Sequence, residues 1–199
     1  MSWTEAPTLA GRHVTLRPMA PFDLDAVLAA SQDGRTWELF YSYAPGPQTI
    51  DTWATHAFAQ QGYGRALPFV VLAGDSVVGA TRFMRMNSVN RRLEIGGTFY
   101  AASVRRTGVN TETKLLLLTH AFEVMGCLCV EIRTDWFNRA SQAAIERIGA
   151  HRDGVLRSHS IMRDGRVRDT VVYSITAAEW VGVKTNLEHL LRQHERPSA

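Results

Sequence analysis

The sequence predicts a mixed α/β layer architecture on three observations. Strand-like and helix-like periods alternate along the chain, a tight hairpin signal follows the last alternation, and an amphipathic helix comes last. His13 to Arg17 (HVTLR) alternates in polarity and reads as an opening strand. Pro18 and Pro21 then punctuate the chain before FDLDAVLAAS, where Phe22, Leu24, Val27 and Leu28 keep near-helical spacing. Residues 33–48 carry Trp37, Phe40, Tyr41, Tyr43, Pro45, Gly46 and Pro47, an aromatic stretch expected to be irregular at its end. Thr49 reads as the N-cap of the helix IDTWATHAFAQQ, which Gly62 ends. Strands from Leu67 to Ala73 and from Ser76 to Met86 flank the turn Gly74-Asp75, and a further strand runs from Arg91 to Tyr100.

The second half is patterned more sharply. Leu115, Leu118, Phe122 and Met125 place a helix over Thr111 to Met125, ended by Gly126. Leu128 to Thr134 reads as a strand, and Asn138 to Ile148 as a helix stopped by Gly149. Strands from Gly154 to Met162 and Val167 to Ile175 meet across Arg163-Asp164-Gly165, where Asp-Gly supplies the positive φ of a tight hairpin. The closing helix presents Trp180, Val183, Leu187, Leu190 and Leu191 on one side.

At 199 residues, 45% hydrophobic and 21% charged, the chain is expected to form one domain over 1–199, with a core near 9–180 and a C-terminal helix near 177–195. The net charge of +3 is spread rather than gathered into a basic run, so nucleic acid is not expected as a partner. Cys127 and Cys129 alternate on one strand and read as inert thiols, with no second ligand pair for a metal. No apolar leader and no membrane-length apolar run are visible, so a cytoplasmic setting without membrane attachment is expected.

The chemistry concentrates between Glu94 and Gly149. A strand runs into Arg105-Arg106-Thr107-Gly108-Val109-Asn110 and then a helix, leaving backbone N–H groups directed into the loop. Together with the helix dipole they favour an anion, and Arg105, Arg106 and Lys114 are candidate counter-charges for phosphates. The terminal Gly-Lys-Ser/Thr of nucleotide hydrolases is absent.

The run R-R-T-G-V-N resembles the Arg/Gln-x-x-Gly-x-Gly/Ala loop of the GNAT acyl-CoA N-acyltransferases, with Asn110 where a second small residue is commoner. The segment TDWFNRASQAAIERIGA resembles the second GNAT motif, and the whole chain is similar to the RimJ/RimL-type branch. The resemblance implies a GNAT fold: a single mixed, mostly antiparallel sheet flanked by helices. It implies acetyl-CoA as co-substrate, held by Tyr100, Arg105, Arg106, Thr107, Gly108, Val109, Asn110 and Thr111, with Asn138 on the pantetheine arm and no metal. The acceptor it implies is a primary amine, either a protein N-terminus or a small molecule, and it leaves a homodimer open.

Many GNAT enzymes carry a tyrosine that protonates the departing thiolate; aligned on Glu146, Arg147 and Gly149, that position is Ile145. Ser141 falls where RimL-type enzymes place a hydroxyl near the sulfur, the alternative being a serine that bonds its own helix backbone. Glu94 reads either as the general base or as the ion-pair partner of Arg82 or Arg133. His56 and the aromatic residues Trp37, Phe40, Tyr41 and Tyr43 are candidates for an acceptor pocket or for plain packing, and acidic lining there would favour cationic amines. His120 reads as a packed histidine, and His151-Arg152-Asp153 as a chance likeness to a kinase tripeptide. The competing function is a module that binds acyl-CoA without turning it over.

Overall fold

The computed structural model describes residues 3–194. Its strands are β1 (Leu9–Ala10), β2 (Thr15–Pro18), β3 (Leu67–Ala73), β4 (Ser76–Asn87), β5 (Arg92–Tyr100), β6 (Cys129–Asp135), β7 (His151–Ile161) and β8 (Val167–Thr176). They form one sheet in the order β1-β2-β3-β4-β5-β6-β8-β7, in which only the β5–β6 pair is parallel. The helices are α1 (Leu24–Gln32), α2 (Ile50–Gly62), α3 (Val109–Thr119), α4 (Arg139–Arg147) and α5 (Trp180–His194). The expected mixed, mostly antiparallel sheet is therefore present. Among the described residues, no helix is long and apolar enough to cross a membrane.

Strand parity sorts the side chains into two layers. Phe69 and Val71 of β3, Leu93 and Ile95 of β5, Val130 and Ile132 of β6, and Val171 and Tyr173 of β8 face α3, α4 and α5 in one large core. Phe69 and Phe83 meet edge-on at 5.6 Å between ring centroids, and neither is exposed. Burying each is worth about 2 kcal/mol. On the opposite face Val70, Ala80 and Phe99 pack against Val27 of α1 and Trp53, Ala54 and Ala57 of α2.

A bulge changes that parity in β5. Ala80 pairs with Phe99 but Arg82 pairs with Gly96, so one extra residue sits in β5, and Gly97 takes φ +59° there. Before the bulge Leu93 and Ile95 face the α3–α5 core; after it Phe99 faces α1 and α2. Without the bulge both ends of β5 could not be buried correctly.

Differences from the expected elements have local causes. The strand expected from His13 starts at Thr15, as β2 behind the short β1, because the N–H groups of Arg12, His13 and Val14 are drawn off the ladder by the Glu112 carboxylate at 2.8, 2.7 and 2.7 Å. Gly11 lies so close to that carboxylate that an added Cβ would fall 2.6 Å from its carboxyl carbon. The long third helix is α-helical only to Thr119; His120–Val124 form a wider π turn before Gly126 ends it at φ +68°. Thr49 stands at the N-cap of α2, but its hydroxyl accepts from Gly46 N–H at 2.9 Å instead of capping the helix. Gly74, Gly149 and Gly165 all take positive φ where turns or a helix end were expected.

Candidate active site

The parallel pair β5–β6 is short. Arg92, Leu93 and Glu94 register with Cys129, Val130 and Glu131, and then the strands part. The opening between Ile95–Tyr100 and Ile132–Asp135 is a cleft of about 590 Å³. Its two walls are strand edges without a ladder partner, suited to the amides of an extended ligand. Ile145 and Ile148 of α4 give it an apolar side, while Arg105, Arg106, Thr107 and Asn110 also line it.

In the loop entering α3, the N–H of Val109 donates to Thr107 Oγ1 at 3.3 Å, and that hydroxyl donates to Val104 O at 2.6 Å. No acceptor in the described residues takes the backbone N–H groups of Arg106, Thr107, Gly108, Asn110 or Thr111. A run of free donors at a helix N-terminus is a ready anion site. The residue with left-handed backbone is Arg106, at φ +62°, whereas Gly108 has φ −67° and is buried where a Cβ would lie 3.4 Å from the Leu191 side chain. A Cβ there would make only ordinary van der Waals contact with α5, so packing alone does not require a glycine, and Gly108 can offer a ligand its main-chain N–H. Val109 and Thr111 also have buried side chains that do not line the cleft; Thr111 Oγ1 accepts from Arg147 at 3.1 Å, so only their main chain is available to a ligand.

Lys114 departs from its expected place as well. It is 6% exposed, points inward to Thr98 Oγ1 at 3.3 Å, and burial pushes its ammonium down to about 8. It lines the cleft next to β5 instead of serving the loop's surface. Arg105 is held by Thr36 Oγ1 at 2.5 Å and Tyr100 O at 3.4 Å. Tyr100 lines the cleft, but its hydroxyl is buried without a hydrogen bond, and burial raises its pKa.

Asn138 caps α4: its Oδ1 accepts from Ser141 N–H at 3.0 Å, leaving its amide NH₂ without a partner among the described residues. Ser141 lines the cleft, and its hydroxyl makes no hydrogen bond to the helix backbone. Ile145 is 5% exposed and also lines the cleft, so an apolar side chain occupies the position where a tyrosine is common.

On the other side of β5 lies a second cavity of about 770 Å³. It shares Tyr43, Gly97, Arg133 and Arg168 with the cleft, so the two spaces meet at the β5 bulge. Glu94 lines this second cavity and is 6% exposed. Its Oε2 lies 3.0 Å from Arg85 Nε and 3.4 Å from Arg133 Nε, yet neither pair has hydrogen-bonding alignment. Desolvation outweighs Arg133, Arg85 and Arg168 together and raises the carboxyl pKa. Of the two readings for Glu94, the ion pair exists, with Arg85 and Arg133 rather than Arg82, and it does not remove the basicity. Arg82 is instead stacked over Trp53 at 4.9 Å and pressed against Gly97, with burial pushing its guanidinium down to about 10. It has no hydrogen bond or ion pair among the described residues. A cation–π contact is worth about 2 kcal/mol at best, against several kcal/mol to desolvate a charge.

A family model for the acetyltransferase (GNAT) domain matches residues 13–151. The chain belongs to the GNAT acetyltransferase family. It is an acetyl-CoA-dependent N-acyltransferase, and acetyl-CoA is the donor that GNAT acetyltransferases use. Among solved structures it resembles a candidate acetyltransferase from T. thermophilus, with 36% identity, a TM-score of 0.83, and coverage of 96% of this chain and 100% of that one. A GCN5-related N-acetyltransferase from Brucella melitensis is similar at 28% identity and TM-score 0.82, covering 94% of this chain and 86% of that one. The fold is also that of Mycobacterium smegmatis RimJ in complex with CoA-disulfide, at 22% identity and TM-score 0.75 over 89% of this chain and 88% of that one. No curated protein matches the chain.

The remaining sequence candidates divide cleanly in this acetyltransferase. His56 lines the second cavity; Tyr41 and Tyr43 line the cleft, while Phe40 packs on Tyr41 and Phe137 at 4.9 and 5.9 Å. Trp37 packs in the α1–α2 cluster and against Gly46. His120 stacks on Phe83 at 6.2 Å, and burial lowers its pKa. Burial pushes the Cys127 thiol up to about 12, far from a reactive thiolate. His151-Arg152-Asp153 lies within strand β7, where Asp153 accepts from Ser174 Oγ at 2.8 Å. Among the described residues, no three His, Cys, Asp or Glu side chains are placed to hold a metal ion.

Sequence reading missed Arg168, Arg163, His159 and Trp53 as cavity residues and saw Arg82 only as a partner for Glu94. One signal was available. Arg82 stands mid-strand between Thr81 and Phe83, so its side chain lies on the sheet face opposite Phe83.

Proposed function

We propose that the chain acts as a single catalytic domain that transfers an acetyl group from acetyl-CoA to a primary amine by direct attack in a ternary complex. The observation that carries this reading is the meeting of the two cavities at Gly97, with Ser141 lining one and Glu94 the other. Acetyl-CoA's phosphates take the free N–H groups at the start of α3, with Arg105 and Arg106 beside them, and Asn138 NH₂ takes a pantetheine carbonyl. The thioester then reaches Gly97 from the cleft and the amine reaches it from the other side.

An ammonium acceptor first gives a proton to Glu94, directly or through one water. The neutral amine attacks the thioester carbon, forming the C–N bond and a tetrahedral oxyanion. Collapse breaks the C–S bond; Ser141 Oγ–H protonates the sulfur and recovers a proton from the new amide nitrogen. The products are the acetamide, coenzyme A thiol and one proton, released from Glu94. Coenzyme A is a fair leaving group, so orientation supplies much of the rate and the serine a smaller share.

The RimL fold neighbour is a ribosomal L7/L12 alpha-N-protein acetyltransferase, which makes a protein N-terminal amine one acceptor to test beside small amines. Thiol release from acetyl-CoA across a panel of amines and short peptides tests the reading. Acetyl-CoA should also raise the thermal midpoint. A silent panel together with an unmoved midpoint at millimolar cofactor would sink it.

A further inference from the structure

The second cavity has a charge imbalance that the chain does not resolve internally. Arg82, Arg85, Arg133, Arg163 and Arg168 line it with a single carboxylate, Glu94. Arg85 and Arg133 face Glu94, and Arg133 also binds Glu131 at 2.7 Å. Arg168 shares Asp135 with Arg166, from 3.6 Å, and its Nε is buried without a hydrogen bond. Arg163 at the rim donates to main-chain Ala44 O and Tyr43 O at 3.4 and 3.3 Å and meets no carboxylate. Arg82 is 6% exposed and has no polar partner among the described residues. A buried guanidinium without an anion is costly, and an incoming anion would remove that cost.

Resting on the acetyl transfer proposed above, we infer that the acceptor is a small primary amine that also carries an oxyanion, a phosphate monoester or a carboxylate, which Arg82 binds while the amine faces Glu94. Register supports the pairing of these roles. Arg82 pairs with Gly96, so Glu94, two residues back on the same face of β5, is its diagonal neighbour, about 7 Å away. Both side chains line the same cavity, so one small molecule carrying an amine and an anion can meet them together. The surrounding field points the same way: beyond burial, Arg133, Arg85 and Arg168 lower the pKa of His159 in the same cavity. The acidic lining that would have favoured a polycation is absent from this cavity, where five arginines stand instead.

The test compares ethanolamine, O-phosphoethanolamine, β-alanine, putrescine and a short uncharged peptide as acceptors, reading thiol release from acetyl-CoA. The anionic amines should exceed ethanolamine in kcat/KM by at least about tenfold, the scale of one charge-assisted bidentate bond, with putrescine poorest. The ratio of O-phosphoethanolamine to β-alanine decides between phosphate and carboxylate. Arg82→Gln should abolish the preference while leaving ethanolamine turnover within reach of wild type. Because Arg82 has no hydrogen-bond or ion-pair partner among the described residues to orphan, and its contact with Trp53 is worth less than its desolvation costs, this variant should melt no lower than wild type without ligand. A thermal shift by O-phosphoethanolamine alone, lost in Arg82→Gln, reads the anion site without turnover. Equal or better use of ethanolamine, putrescine or the peptide, or no Arg82-dependent shift, overturns the inference even if acetyl transfer stands. A silent acceptor panel with the shift intact keeps the anion site and instead removes the acetyl transfer.

Discussion

The two cavities that meet at Gly97 are built from opposite materials. The cleft between β5 and β6 offers strand edges, free loop N–H groups and the small polar side chains of Asn138 and Ser141. The second cavity offers long charged side chains from β4, β5, β6, β8 and the turn after β7. Main chain recognises what every donor molecule of one kind shares, whereas side chains can be exchanged without disturbing the fold. Under the proposed function, the difference teaches where specificity would reside: the cleft would select the cofactor class and the arginine-lined cavity the acceptor.

The sharpest way to break the cleft's half of this contrast is Asn110→Glu, which sets a carboxylate among the free N–H groups of the loop. Wild type should gain about 2.7 kcal/mol of stability at acetyl-CoA concentrations about 100 times Kd, and the variant should gain nothing. Calorimetric melting with and without cofactor reads it, and a full shift in the variant would remove the loop from phosphate binding.

On the other side, Glu94→Gln should lower kcat by about a hundredfold with acetyl-CoA binding unchanged. Wild-type activity should rise with pH through an apparent pKa above the ordinary carboxylate value of 4.5, and this limb should vanish in the variant. The sign for stability is opposite. The native state holds that proton more tightly than the unfolded chain, so wild type loses stability relative to Glu94→Gln as pH climbs from 4.5 through the raised value. A pH-rate profile that is the same in both proteins would leave Glu94 without a role as base.

Lys114→Met tests whether the buried ammonium by Thr98 is a liability. The folded pKa of about 8 lies below the ordinary 10.5, so the unfolded state binds more protons between those values and wild-type stability rises there. The variant should therefore be more stable by about 3 kcal/mol at neutral pH, an advantage complete below about pH 8 and gone by about 10.5. Denaturation at several pH values measures it; a pH-independent gap would mean that Lys114 finds a counter-charge. Smallest of the four is Ser141→Ala, expected to lower kcat about tenfold with acetyl-CoA affinity intact. An unchanged kcat would leave the thiolate to depart unaided.

How much of this was legible in the sequence follows the same division. Local chemistry exposed the cofactor side: Gly149 and Asn138 mark the ends of α4, and the strand-loop-helix order around Arg105 to Thr111 announces free N–H groups. Even there, only the fold reveals that Gly108 lies against Leu191 of α5 and that Lys114 turns inward. The acceptor side depended on register. Arg82 and Glu94 become neighbours through the β4–β5 pairing, and the extra residue at Gly97 decides which side chains share their face. Arg163 arrives from a hairpin more than a hundred positions from the loop carbonyls it binds. No periodicity in a single strand encodes such a meeting.

The grip of Glu112 on Arg12, His13 and Val14 turns three amides near the start of the chain into reporters. They can exchange their hydrogens with solvent only when the first turn of α3 lets go, although none of them lines either cavity. Whatever steadies that turn from the loop side should therefore slow isotope uptake on the far side of the helix, about a hundred positions away in sequence. A signal at Val14 would then read occupancy at Asn110, and the segment before β2 would serve as a built-in gauge of how firmly the helix is seated.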